Sequence, residues 1–205
     1  MKAKATSPNT AKRPPRPRAA QTHEIRIIGG LWKRTKLKVA DKPGLRPTPD
    51  RVRETVFNWL GQDLSGLRCL DAFAGTGALG FEAASRGAQE VQLVEQDGAL
   101  VEQLKKTQAQ LQASAVHVVR GDGVSAIRQA APGSLDVIFI DPPFDAPLFE
   151  PALGACARAL APEGWVYLEA PTAYTDELLT AVGLSVHRHL KAGAVHAHLL
   201  KRSAA

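Results

Sequence analysis

The 205-residue chain predicts an α/β fold: a mostly parallel, doubly wound sheet with an antiparallel C-terminal edge hairpin, preceded by a small N-terminal β-hairpin. Three observations carry this. From Leu67 onward, short Val/Ile/Leu-rich runs alternate with longer stretches of helical periodicity. Strands separated by helices imply parallel pairing through right-handed crossovers. After Leu184 the alternation stops: two apolar runs, Leu184 to Leu190 and Val195 to Leu200, are joined by a turn containing Gly193 with no helix between them. Ahead of Leu67, Gly29-Gly30 separates two further short runs, as in a hairpin.

Residues 1–22 hold Pro8, Pro14, Pro15 and Pro17 among six Lys and Arg, with no aliphatic larger than Ala beyond the initiator Met. Such a segment cannot bury enough surface to offset its ordering entropy, so a disordered basic tail is expected. Residues 23–44 form the hairpin extension. Its first strand is Glu24-Ile25-Arg26-Ile27-Ile28, Gly29-Gly30 supplies the positive φ angles of the turn, and the second strand runs from Leu31 to Val39. Alternation along that strand puts Trp32, Arg34, Lys36 and Lys38 on one face and Leu31, Lys33, Thr35, Leu37 and Val39 on the other. Three cations with one aromatic suit phosphates and a stacked base; the plain alternative is a solvated outer face.

Asp41-Lys42-Pro43-Gly44 is a turn cluster, and residues 45–205 make up the main domain. Thr48 is placed to cap a helix, with Pro49 at its first position and Asp50 near its positive end. Val52, Val56, Trp59 and Leu60 give that helix an apolar side. Arg46, Arg51 and Arg53 crowd its start, and Arg51 and Arg53 cannot face the same way on a helix. Beyond it, strands are expected near 67–72, 90–95, 115–119, 135–140 and 164–169, and helices near 77–86, 97–112, 122–130, 147–160 and 175–182.

The net charge of +6 is unevenly spread: residues 1–53 carry 15 Lys and Arg against Glu24, Asp41 and Asp50, while the remainder is acidic. That asymmetry suggests a basic arm for a polyanion on an acidic body. No apolar run approaches the roughly 18 residues of a membrane span, and the N-terminus lacks the apolar core of a secretory signal. Cys69 and Cys156 give neither a disulfide framework nor a metal set, and both sit in apolar stretches as small buried hydrophobes; a reducing, cytoplasmic setting fits. His187 with His189, and His196 with His198, share strand faces, but no carboxylate or Cys pattern joins them, so no metal is expected. G-x-S-x-G and the Gly-Lys-Ser/Thr of Walker phosphate loops are absent.

The chemistry is carried by two strand ends. Gly75-Thr76-Gly77-Ala78-Leu79-Gly80 matches the dinucleotide pattern G-x-G-x-x-G, and Glu95 ends the next strand. Asp71 argues against a dinucleotide, because its carboxylate ends the first strand beside the expected pyrophosphate site. Like charges about 5 Å apart repel by roughly 3 kcal/mol at an effective dielectric near 20. The same acid attracts the amine and sulfonium of S-adenosylmethionine (SAM), and Glu95 suits the ribose diol of either ligand. Gly121-Asp122 would flank the adenine, with Asp122 able to accept from its amine or simply to cap a helix. At the end of the fourth strand, Asp141-Pro142-Pro143-Phe144 forms a stiff, acceptor-rich ledge: one carboxylate, backbone carbonyls and an aromatic ring, suited to a planar base with an amino group.

Leu70-Asp71-Ala72-Phe73-Ala74-Gly75-Thr76-Gly77 resembles the first motif of SAM-dependent methyltransferases of Rossmann-like fold. Asp141-Pro142-Pro143-Phe144 resembles the signature of enzymes that methylate amino groups on planar systems. More narrowly, Ile25-Arg26-Ile27-Ile28-Gly29-Gly30, Leu45-Arg46-Pro47-Thr48-Pro49-Asp50-Arg51-Val52-Arg53-Glu54 and Phe57-Asn58-Trp59-Leu60 are similar to the bacterial 16S rRNA (guanine-966-N2)-methyltransferase family. The resemblance implies methyl transfer from SAM to a guanine N2 amine of 16S rRNA, within an assembling small ribosomal subunit. It implies Asp141, Pro142, Pro143 and Phe144 as the catalytic ledge, Asp71, Ala72, Phe73, Gly75, Gly77, Glu95 and Asp122 at the cofactor, and Trp32, Arg34, Lys36, Lys38, Arg46, Arg51 and Arg53 on RNA. The ledge alone also fits an adenine-N6 DNA methyltransferase or a protein-glutamine methyltransferase. From another class, a non-catalytic RNA-binding protein that keeps a SAM fold is disfavoured by the intact acid-Pro-Pro-aromatic ledge, and an NAD oxidoreductase is the runner-up on the glycine pattern alone.

Overall fold

The computed structural model describes residues 24–38 and 48–203. The expected tail, the turn cluster at 41–44 and Arg46 lie outside the described residues.

In the hairpin, β1 (Glu24–Arg26) pairs antiparallel with β2 (Lys36–Lys38). This second strand is much shorter than expected, because Arg34 has φ of 71° and residues 31–34 form a turn closed on Ile27. The alternation that would align Trp32 and Arg34 with Lys36 and Lys38 is therefore broken. Leu31 is exposed, Trp32 is half-buried against the core, and only Lys36 and Lys38 keep the predicted shared face.

Gly29-Gly30 does more than turn the chain. A Cβ on Gly30 would lie 1.8 Å from the Ser85 carbonyl oxygen, and its φ is +72°, so the backbone can dock on the end of the helix that carries Ser85 only with glycine there.

The helix α1 (Asp50–Trp59) starts one residue later than expected, with Pro49 at the N-cap position and no side-chain cap; Thr48 turns to the cleft instead. The alternation of β3 (Arg68–Asp71), α2 (Ala78–Ser85), β4 (Glu90–Glu95), α3 (Gly98–Leu111), β5 (Val116–Arg120), α4 (Gly123–Gln129), β6 (Leu135–Ile140), α5 (Phe149–Ala159) and β7 (Leu160–Ala170) matches the sequence pattern closely. The last expected helix splits into α6 (Asp176–Leu179) and a 3-10 turn (Thr180–Val182) that stops at Gly183, φ +73°.

The chain ends in β8 (Leu184–Ala192) and β9 (Val195–Arg202), antiparallel to each other. Sheet order is β5-β4-β3-β6-β7-β9-β8, with β9 inserted antiparallel between β7 and β8.

Side chains of one sheet face, among them Val91, Leu93, Phe139 and Tyr167, pack with α1, α2 and the hairpin residues Ile25, Ile27 and Leu37. Those of the other face, including Leu70, Ile138, Ile140 and Leu168, pack with α4 and α5. Cys69 and Cys156 are buried free thiols, as expected. Strand order reverses between β3 and β6, so the ends of these two neighbouring strands form the crevice where open α/β sheets bind ligands.

Candidate active site

A cleft of about 560 Å³ opens at that reversal point. Asp71, Ala72, Phe73, Gly75, Glu95, Asp141, Pro142, Pro143 and Phe144 all line it, so both sequence motifs meet in one cavity. Two residues of the expected cofactor set do not. Gly77 (φ +77°) sits at the N-cap of α2, where a Cβ would meet the Phe81 and Leu104 side chains, so its task is the turn and its packing. Asp122 caps α4, accepting from the Ser125 N–H at 2.7 Å, while its neighbours Gly121 and Gly123 line the cavity. A Cβ on Gly123 would fall 2.0 Å from the Ala72 carbonyl oxygen, so the two loops meet only through glycine.

The acids of the cleft are organised unevenly. Glu95 accepts from the Gly75 N–H at 2.9 Å and the Asp97 N–H at 2.8 Å, tying the glycine loop to the loop after β4. Asp71 is buried and accepts from the Gly80 N–H at 3.0 Å. Burial above all, with the nearby Glu95 charge, raises its pKa to about 7. Asp141 lies within hydrogen-bonding reach of the Thr48 hydroxyl, 3.5 Å from Oδ2. Its pKa is held well above the ordinary carboxylate range by burial and then by the Glu169 and Asp71 charges. An ionised acid in such company is stabilised by a cation entering the cleft.

Phe144 stands at the mouth, 39% exposed, with its ring centroid 6.2 Å from that of Phe149. Its face is thus free enough of the core to stack on a flat ligand, while Phe149 holds one side of it.

The SAM fit rests on these features: a carboxylate that gains from a neighbouring cation, two loops brought into backbone contact by glycine, and an apolar wall that includes Phe73, Val94 and Leu100. Asp71, Gly75 and Glu95 would hold the cofactor.

Of the expected RNA contacts, Arg53 is corrected outright. It is fully buried, donating to the Thr48 and Arg26 carbonyls at 3.3 and 2.8 Å and pairing with Asp50 at 2.6 Å and Glu82 at 3.4 Å. Arg51, two positions earlier, is exposed. Trp32 donates its backbone N–H to Ser85 Oγ and packs inward. Arg34 is exposed in the turn.

Lys36 and Lys38 line a separate groove of about 340 Å³ with Gln103, Lys106 and Gln110 of α3. Lys36 also pairs with Glu24 at 2.6 Å.

Four residues escaped the sequence reading. Thr48, read as a cap, reaches the ledge acid 93 positions away, which no local pattern announces. Glu82 is a buried hub that accepts from the Ile28 and Gly29 N–H groups and pairs with Arg53 and Arg86. Lys106 joins the hairpin lysines only through folding. Glu169 lines the cleft from the end of β7; an acid at the end of the strand beside the ledge strand was a signal available in the sequence.

His189, His196 and His198 stack on β8 and β9, with His189 and His198 centroids 4.7 Å apart. His198 Nε2 accepts from the Tyr174 N–H at 3.0 Å, and burial lowers its pKa to about 4, leaving it neutral. Among the described residues no group of three or more His, Cys, Asp or Glu is arranged to hold a metal ion. No described helix is long and apolar enough to cross a membrane.

The comparisons with known proteins converge. Residues 25–201 match the family model described as Conserved hypothetical protein 95. The chain is 41% identical over 191 residues, 92% of its length and 96% of the relative's, to ribosomal RNA small subunit methyltransferase D of Escherichia coli strain K12. The chain belongs to this family.

The Haemophilus influenzae protein of the same name is 42% identical over 151 residues, covering 71% of this chain and 78% of the relative. Among solved structures, a putative methyltransferase, yhhF, from Escherichia coli superposes with a TM-score of 0.77 at 42% identity, covering 89% of this chain and all of that one. The chain is therefore a methyltransferase of Rossmann-like fold, and the β3 and β6 strand ends form the floor of its candidate active site.

Proposed function

We propose that the protein transfers the methyl group of SAM to the exocyclic N2 amine of a guanine in 16S rRNA, acting on an assembling small ribosomal subunit. The observation that carries this reading is the meeting of the Asp141–Phe144 ledge with Asp71, Gly75 and Glu95 in one cleft. The name shared by its 41% and 42% identical relatives supports the rRNA substrate.

The guanine N2 lone pair is delocalised into the ring, so the amine is a weak nucleophile. Asp141 accepts one amine hydrogen and the Pro142 carbonyl the other, which directs the lone pair and stabilises positive charge as it develops. The raised proton affinity of Asp141 suits it to receive the N2 proton once the new N–C bond has formed. Phe144 stacks on the extruded base, since chemistry on a base requires taking it out of its helix. SAM, when bound, supplies an activated methyl group; the protein supplies orientation and electrostatics. The exposed Arg51 and the groove of Lys36, Lys38 and Lys106 engage the phosphate backbone.

The test is to offer isotope-labelled SAM to unmodified small subunits, naked 16S rRNA and DNA, then map the methylated atom. Label on guanine N2 of small-subunit RNA is expected. Label on adenine N6 of DNA or on a protein glutamine would replace this reading with one of its alternatives. SAM binding without turnover on any of them would make the protein a binding module.

A further inference from the structure

Building on the guanine-N2 reading, we propose that Glu169 is the residue that selects guanine, by accepting the base's N1–H beside the N2 hydrogen taken by Asp141. Register places these two acids side by side. Ile140 of β6 pairs with Leu168 of β7, so Asp141 and Glu169 are the next residues out on adjacent parallel strands. Adjacent strands lie about 4.8 Å apart and register partners lean to the same face. Both acids line the cleft.

Glu169 is held there from beneath. Tyr167, two residues earlier on the same face, donates its hydroxyl to Glu169 Oε1 at 2.8 Å. The Tyr167 ring is fully buried and meets Phe139 edge-on at 6.2 Å, so the hydroxyl has little freedom to move away. Tyr167 is thus a positioning residue, and Glu169, 3% exposed, presents a fixed carboxylate to the cavity.

Two neighbouring carboxylates are costly unless something uses them. The Glu169 charge is one of the causes that raise Asp141, so the arrangement is electrostatically unfavourable in the free protein. Ionised carboxylates only accept hydrogen bonds. The Watson–Crick edge of guanine offers two adjacent donors, N1–H and the N2 amine, and so matches two adjacent acceptors. Adenine offers its amine beside the N1 lone pair, and cytosine its amine beside the N3 lone pair. A glutamine side chain offers its amide N–H groups beside a carbonyl oxygen. Each of these sets a lone pair against the Glu169 carboxylate. Sites built to bind a substrate N–H reject analogues lacking it by as much as about 10⁴–10⁵.

The experiment uses the full chain and small subunits rebuilt with 16S rRNA carrying guanine, 2-aminopurine or adenine at the methylated position. 2-Aminopurine keeps the N2 amine but has a lone pair in place of N1–H. Wild-type protein should favour guanine over 2-aminopurine by at least about 100-fold in kcat/KM. Glu169→Gln, whose amide can turn an N–H toward the N1 lone pair, should shrink that ratio at least about tenfold, through both a loss on guanine and a gain on 2-aminopurine. The same change in preference should show in subunit affinity measured with unreactive S-adenosylhomocysteine. Tyr167→Phe removes the positioning hydroxyl without entering the cleft, and should narrow the ratio severalfold; it carries the test if Glu169→Gln does not fold. A wild-type-like ratio in the folded variants would overturn the Glu169 assignment while leaving guanine methylation standing. Methylation of adenine in place of guanine by the wild-type protein would instead overturn the guanine reading beneath it.

Discussion

Glu82 and Asp71 are both carboxylates with almost no solvent exposure, one in α2 and the other in the strand beneath it, yet their surroundings are opposite. Around Glu82, at the junction of the hairpin, α1 and α2, four donors converge: the Ile28 and Gly29 N–H groups and the guanidinium groups of Arg53 and Arg86. Around Asp71, in the cleft, no cation among the described residues answers the carboxylate: the Gly80 N–H at 3.0 Å and the Phe73 N–H are outweighed by burial and the Glu95 charge, and its proton affinity rises. The first acid is compensated by its own protein and locks three elements together. The second is left for something that arrives from outside. Burial alone thus says little about role; the sign of the neighbouring charges separates scaffold from site.

Substitution at the junction should bring the largest loss. Arg53→Ala removes a fully buried cation and leaves Glu82 without one of its partners. Breaking a buried pair from one side typically costs about 3–5 kcal/mol. Urea unfolding should show that drop, whereas Arg51→Ala, on the exposed side of the same helix start, should leave the midpoint nearly unchanged and weaken RNA binding. Equal stability of the two variants would undo the distinction between them. In the cleft the balance reverses: Asp141→Ala should slow methyl transfer by roughly 10²–10³, as for loss of one transition-state hydrogen-bonding group, with the unfolding midpoint and SAM affinity little altered. Turnover near wild type would remove Asp141 from the chemistry.

The same contrast explains what the sequence could and could not reveal. The sheet was legible because its strands are continuous apolar runs at regular spacing, and Asp71 and Asp141 were legible because each ends such a run. The hairpin stripe was not, since a single positive φ at Arg34 breaks an alternation that the residue types alone permit. Arg53 resembles its neighbours Arg46 and Arg51 in sequence, and what distinguishes it includes the Arg26 carbonyl and the buried Glu82, 27 and 29 positions away. Thr48 and Asp141 meet across 93 residues, a contact that depends on where α1 enters the sheet. Local chemistry found the groups at strand ends; partners fixed by packing stayed hidden.

The pH dependence of stability should expose the uncompensated acid directly. Asp71 has a folded pKa raised from 3.8 to about 7, so between these values the folded protein keeps a proton that the unfolded chain has released. Stability from this group is therefore full at low pH and declines as pH rises through the window from about 4 to about 7. Asp71→Asn should flatten that decline in unfolding curves taken across the window. Cationic SAM favours the ionised acid, so calorimetry near pH 6.5 in buffers of different ionisation enthalpy should report release of a fraction of a proton on binding. Binding with no proton release would separate Asp71 from the cofactor's charge.

The smallest effects are expected at the groove between the hairpin and α3, where all the charge is exposed. Replacing Lys36, Lys38 and Lys106 together with Gln should weaken RNA binding and flatten its salt dependence by roughly 0.7–0.9 in log–log slope for each phosphate left without its lysine. An unchanged slope would return these lysines to a solvated face. The three should not count equally. Lys36 pairs with Glu24 at 2.6 Å in the free protein, so it must give up that partner, or share it, to meet a phosphate. Exposed pairs of this kind are worth only about 0–1 kcal/mol, so the toll is small but has a definite sign. Glu24→Gln should release Lys36 and tighten RNA binding slightly at low salt, an effect that disappears when Lys36 is already replaced. Persistence of the effect without Lys36 would mean that Glu24 acts on RNA by simple repulsion, and the groove would then be read by its summed charge instead of by individual ion pairs.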